Sequence, residues 1–213
     1  MNLKKVKRII DNLRKKYPVF VSEKHLQVAF SIEVEKYKYK SYPEYSFDNE
    51  LLKKNSQNKK YIDLVIGKGK KKFAFEFKYP VCGFEGDIND MHIKLRHQSA
   101  WPGRRYDCLK DIERLETLKE KGKINSGYFI LITNYKGFWE SGKTGNNIKD
   151  KAFRFEKGIK KGTKRWSNDT GGMKKGREKN ITIKNNYKVE FETFSNNDKG
   201  SGNIEFKVLV LKI

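Results

Sequence analysis

The 213-residue sequence predicts an α/β domain in which a mixed central β-sheet is flanked by helices. Three observations carry that prediction: an amphipathic opening helix, a two-stranded hairpin at 61–79, and a strongly apolar run at 126–134. In the opening segment Leu3, Val6, Ile10, Leu13 and Tyr17 recur every three or four residues with Lys and Arg between them. That is the period of a helix burying one stripe. Pro18 ends it, and Ser22 is placed to cap a second helix running to about Tyr37. Leu26, Ala29 and Phe30, joined by Val28 and Ile32 on an adjoining face, predict that this second helix is largely buried. A strand is expected within YPEYSFDNELL.

The hairpin YIDLVIGKGKKKFAFEFKY follows. If Asp63 faces Glu76, the turn falls on Gly69 and Lys70, and glycine at the first central position is what a type II′ turn requires. Side chains alternate along a strand, so Glu76 and Lys78 share one face while Phe73, Phe75 and Phe77 enter a core on the other. A helix beginning near Arg104 carries Tyr106, Leu109, Ile112 and Leu115 on its apolar side and Asp107, Lys110, Asp111 and Arg114 around the rest, a pattern of ordinary packing with surface ion pairs. SGYFILITN at 126–134 reads as a central buried strand.

Beyond Gly137 the composition shifts. Residues 141–180 hold thirteen Lys or Arg against four acids, with seven glycines, which predicts a basic, flexible insertion over about 137–182. Phe153, Phe155 and Trp166 stand among the charges, the mixture that can follow a phosphate backbone and stack on bases. YKVEFETF and NIEFKVLVLKI predict a C-terminal hairpin over about 186–213. The whole is expected to be a single domain, residues 1–213, with its core at about 20–135.

Two carboxylates at cross-strand distance repel unless a cation lies between them, and hard oxygen donors suit Mg²⁺. A lysine beside them can stabilise developing charge or help deprotonate a water, which together make a kit for phosphodiester cleavage. The plain alternative is an ion pair between Lys78 and Glu76 on a half-exposed sheet face.

At these residues the sequence resembles the PD-(D/E)xK phosphodiesterase superfamily, the restriction-endonuclease-like fold. ID at 62–63, twelve intervening residues and EFK at 76–78 match its central motif, with Ile62 where the family has proline. SEKHLQVAF is similar to the opening helix of bacterial members, and HQSAWPGRRYDCLKDIERLE to the stretch after their catalytic lysine. The resemblance implies that Asp63 and Glu76, with the main-chain carbonyl of Phe77, bind Mg²⁺, for which Mn²⁺ can substitute. It implies that Lys78 positions or activates the attacking water. Glu23 would be a secondary ligand or hold a water of the ion, ahead of Glu50, Glu33 and Glu35. Gln98, Arg104, Arg105, Tyr106 and Lys110 lie just beyond the hairpin and are candidates for the scissile phosphate. Lys160, Lys161, Lys164, Arg165 and Trp166 are candidates for binding nucleic acid farther out. The resemblance also implies pairing of two copies, as a homodimer, to cut both strands.

A formal net charge of +22 calls for a polyanionic partner. No apolar run is long enough to span a bilayer, the first residues lack the apolar core of a signal peptide, and Cys82 and Cys108 are too few for a disulfide framework. His92 and His97, five apart, fit neither helical nor strand ligand geometry and are expected at the surface. The expectation is a cytoplasmic, Mg²⁺-dependent DNA endonuclease of restriction or phage-defence type, free of the membrane. A non-catalytic nucleic-acid-binding protein and an RNA-directed nuclease are the alternatives.

Overall fold

The computed structural model describes residues 1–47, 61–140, 148–156, 158–167, 174–198 and 200–213. Helix α1 (Leu3–Lys16) is capped by Asn2, whose side chain accepts from the Lys5 amide, and buries Val6, Ile9, Ile10 and Leu13. Helix α2 (Glu23–Glu35) starts at Ser22, whose hydroxyl accepts from the His25 amide at 3.0 Å, as the sequence predicts. Its burial differs from expectation: Leu26, Ala29, Phe30 and Val34 face the core, but Val28 and Ile32 are 46% and 56% exposed. Nothing packs over the second apolar flank of the helix among the described residues.

Strand β1 (Lys40–Ser46) is the outer neighbour of β2 (Tyr61–Lys68), which pairs with β3 (Lys71–Lys78). The β2–β3 register is the predicted one: Leu64 faces Phe75, Ile66 faces Phe73 and Lys68 faces Lys71. Gly69 adopts φ +59°, the left-handed backbone that the first central position of the turn needs. A hairpin of β4 (Phe84–Ile88) and β5 (Met91–Leu95) follows, which the patterning above does not anticipate. Its signal was Asn89–Asp90, two residues that tolerate positive φ and here adopt +49° and +63°, the requirement of a type I′ turn.

Helix α3 (Trp101–Glu120) then crosses over to β6 (Ser126–Thr133), which is buried throughout and runs parallel to β3. Strands β7 (Gly162–Lys164) and β8 (Ile181–Ile183) pair with each other; β9 (Glu192–Asn196) and β11 (Glu205–Lys212) form the predicted C-terminal hairpin, and β10 (Ser201–Gly202) joins β4. The main sheet has the order β1-β2-β3-β6-β11-β9 and is mixed. On one face Leu64, Phe73, Phe75, Phe77, Tyr128 and Ile130 pack with α1, α2 and the β4–β5 hairpin. On the other Val65, Ala74, Phe129, Leu131 and Leu209 pack with α3 and the segment holding Phe153, Phe155 and Trp166.

That segment corrects the picture of a flexible insertion. Its described part is fastened to α3: Asp150 pairs with Arg105, the Lys179 carbonyl accepts from Tyr106, Arg177 pairs with Asp107, and Glu113 accepts from the Thr182 amide; just beyond it, Glu116 accepts from the amides of Lys184 and Asn185, the Asn185 side chain and the Tyr187 hydroxyl, at 2.8–3.0 Å. Glycine and lysine content signals a loop in sequence, but the buried rings decide the outcome by anchoring it to the sheet. Glu116→Ala leaves four donors without their acceptor and should cost roughly 2–4 kcal/mol, read as a lower urea midpoint with faster amide exchange at 182–187. Unchanged exchange there would show that apolar contact alone holds the segment.

Candidate functional site

The β2–β3 ladder is paired as far as Leu64 and Phe75. One residue further, the Phe77 amide donates to the carboxylate of Asp63 at 2.8 Å instead of to a strand carbonyl. The side chain thus replaces the ladder where the site begins. Glu76 stands on the same face, 0% exposed, bonded to the guanidinium of Arg114 on α3. The Lys78 ammonium lies 2.5 Å from Asp111 and 3.3 Å from the Phe77 carbonyl, and Arg114 donates to Asp111 at 2.7 Å. From the other side of the sheet end, the first residue of α2, Glu23, accepts from the Tyr79 amide at 3.0 Å.

Four elements, α2, β2, β3 and α3, therefore bring together four carboxylates, Glu23, Asp63, Glu76 and Asp111, with two cations, Lys78 and Arg114. With every group ionised the cluster holds two surplus negative charges in a largely dry place. Its electrostatics follow from that. Burial pushes the Glu23 carboxyl up; Lys78 draws it back, and Asp63 and Asp111 push it further up. Burial alone would lower the Lys78 ammonium, but Asp111, then Glu23, Asp63 and Glu76, outweigh it and hold it well above its usual range. Lys78 is thus a fixed ammonium, suited to stabilising charge and unsuited to removing a proton. The Arg114 guanidinium is likewise held charged, burial being outweighed by Glu76 and Asp111.

A cleft of about 320 Å³ opens beside the cluster, lined by Glu23, Lys78, Pro80 and the α3 residues Arg104, Asp107, Cys108, Lys110, Asp111 and Arg114. Asp63 and Glu76 lie behind this wall. Burial drives the Cys108 thiol well up, which removes it as a nucleophile. Lys78 and Glu76 each take a partner on α3, Asp111 and Arg114, while Glu76 still acts on the charge of Lys78. Asp111 and Arg114 are the site residues that sequence reasoning missed, assigned there to surface ion pairs. A signal existed, since Arg104, Asp107, Asp111 and Arg114 recur at helical spacing on a helix whose other sides are also buried, and charges on such a helix need buried partners.

Of the predicted phosphate-contacting residues, Arg104 and Lys110 line the cleft; Arg104 donates to the Ser99 carbonyl and Lys110 pairs with Glu113 at 2.8 Å. Gln98 is tied to the main chain of Val81. Arg105 is withdrawn: it is buried against Asp150 at 2.5 Å and the Gly137 carbonyl, because its position on α3 faces the packed segment and not the cleft. Tyr106 donates to the Lys179 carbonyl and stacks on Trp166. Trp166 is only 8% exposed and donates its indole N–H to the Arg177 carbonyl, so its ring is spent on packing and is not offered to a base. Lys160, Lys161 and Arg165 are exposed, and Lys164 half-buried. Glu33 and Glu35 bond Asn12, Lys36 and Ser41 away from the cleft, and Glu50 lies outside the described residues. His92 pairs with Asp87 and Glu85 at the surface.

No protein-family model, curated protein or solved structure matches the chain. Among the described residues no helix is long and apolar enough to cross a membrane. Nor, among them, do three His, Cys, Asp or Glu side chains already converge as a metal-ligand set, which accords with Glu76 being engaged by Arg114 and Asp63 by the Phe77 amide. The donor chemistry nonetheless fits a divalent cation: the oxygens are hard, and carboxylates outnumber cations.

Because Glu23 holds its proton more tightly folded than unfolded, its contribution to stability is complete below the usual 4.5 and is lost as pH rises through the folded value. Glu23→Gln keeps an acceptor for the Tyr79 amide and should melt higher than wild type at pH 7. That gain should fade as pH falls toward 4.5. A gain independent of pH would assign the effect to packing.

Proposed function

We propose that the chain is a divalent-metal-dependent nuclease acting on DNA, with a restriction-endonuclease-like core and a restriction or defence role. The observation that supports this best is the gathering of Glu23, Asp63, Glu76 and Lys78 at one sheet end, where carboxylates outnumber cations beside an open cleft. Asp63, Glu76 and the Phe77 carbonyl would hold Mg²⁺ or Mn²⁺, which when bound supplies Lewis-acid stabilisation and a more acidic water. Lys78 contributes an ammonium fixed by Asp111 and the Phe77 carbonyl, aimed at the charge that builds on a phosphate during cleavage. Glu23 completes the acidic wall, its carboxylate oriented by the Tyr79 amide. Arg104 and Lys110, at the cleft wall, would seat the sugar-phosphate backbone.

The acidic centre repels a polyanion, so the surrounding lysines must supply the affinity. Lys160, Lys161 and Arg165 are exposed, and with Lys164 they form the basic end of the packed segment. This term is sequence-independent and weakens with salt.

A non-catalytic nucleic-acid-binding protein is the second reading, favoured by the engagement of Glu76 with Arg114. Incubating the protein with duplex DNA, single-stranded DNA and RNA, with and without Mg²⁺ or Mn²⁺, decides between them. Cleavage of duplex DNA only with metal is expected; retention without cleavage supports the second reading, and cleavage confined to RNA redirects the activity. Lys78→Ala should retain DNA affinity while losing turnover by about 10²–10³-fold, and undiminished cutting would remove Lys78 from the mechanism. Replacing Lys160, Lys161, Lys164 and Arg165 with Gln should weaken binding and flatten the log K against log salt slope by up to about 3–4. An unaltered slope would place the binding face elsewhere.

A further inference from the structure

Arg114 belongs to two environments. It lines the cleft, yet its guanidinium reaches the fully buried Glu76, and the same nitrogen also donates to Asp111. Its charge is well matched there. Its hydrogen bonding is not: the buried Nε has no partner among the described residues. A guanidinium has five N–H donors and ordinarily spends them when buried, so a lock that leaves Nε unspent is an incomplete one.

Glu76 is 0% exposed and Asp63 6%, and neither lines the cleft. Arg114 does, and it bonds Glu76 from the cleft wall. The Lys78 ammonium, which also feels Glu76, is bonded to Asp111. Breaking the Arg114 contact without replacing it would strip a buried carboxylate of its guanidinium, which is costly, and a cation that takes its place must restore that positive charge.

We propose, on the reading of Asp63 and Glu76 as ligands of a divalent cation, that Arg114 is the resident counter-ion of that site, neutralising and covering Glu76 until a divalent cation displaces it. Arg114 is then a positioning residue: it keeps the fold stable without metal and sets how tightly metal binds. Asp111, which bonds both Arg114 and Lys78, keeps the displaced guanidinium and the ammonium on the cleft wall.

The test titrates Mn²⁺ alone into wild type, Arg114→Gln, Arg114→Lys and the double variant Arg114→Gln/Glu76→Gln. Bound metal is read from the loss of the free-ion spin resonance signal, and stability from thermal melting. Arg114→Gln should bind Mn²⁺ at least about tenfold tighter than wild type, since the ion no longer competes with a buried partner. It should also melt lower without metal and recover with Mn²⁺ but not with NaCl of equal ionic strength. Arg114→Lys should return toward wild type, and the double variant should lose both the tighter binding and the metal-dependent recovery. Equal Mn²⁺ affinity in wild type and Arg114→Gln overturns the counter-ion role while leaving the metal-dependent nuclease intact. Binding by neither overturns both. Should Arg114→Gln be unfolded without metal, folding on addition of Mn²⁺ supports the role, and failure to fold at saturating Mn²⁺ overturns it.

Discussion

The burial of Glu76 is the constraint on which the rest of the arrangement depends. A carboxylate with no access to water cannot remain ionised unless cations and donors surround it. Helix α3 contributes to that compensation from above the sheet through Arg114, with Asp111 one turn earlier holding both Arg114 and Lys78. An apolar pair at 76 and 114 would pack at lower cost. Retaining charge in so dry a place is what makes the cluster a functional candidate instead of a piece of core.

Charge is distributed in opposite senses at two scales. The chain as a whole carries +22, while the site beside the cleft is left with an excess of acid. A protein binding a polyanion through positive charge alone would have no use for that excess, because it repels the phosphates the surface attracts. A cation held between acids and phosphates reconciles the two scales. The fixed ammonium of Lys78, and Arg104 farther along the cleft wall, place positive charge on the side from which a strand would approach.

Much of this was legible in the sequence where local rules and tertiary packing agree. The hairpin register followed from Gly69 and the alternation of Phe73, Phe75 and Phe77, and it set Asp63, Glu76 and Lys78 at the same sheet end. Ser22 announced α2 and so placed Glu23. What was illegible depended on long-range partners. Asp111 and Arg114 look like any salt-linked helical turn until β3 is seen beneath them. Arg105 and Trp166 look like ligands for nucleic acid until Asp150, Gly137 and Tyr106 occupy them. Val28 and Ile32 failed in the other direction: apolar residues on a helix predict burial only if something lies over them.

Helix α3 links the two halves of this reading. Its Asp111 and Arg114 hold the acidic site, while Glu113 and Glu116, facing away from them, hold the backbone of the basic segment, and Asp107 pairs with Arg177 of that segment at 2.7 Å. The pieces that would bind a strand and the pieces that would cut it are thus mounted on one rigid element. Fixing both to a single helix holds their spacing constant, which a strand-cutting site requires if binding energy gathered at the lysines is to be used at the phosphate. A flexible insertion would close on its ligand at a cost in entropy; a segment already fastened by buried carboxylates avoids that cost.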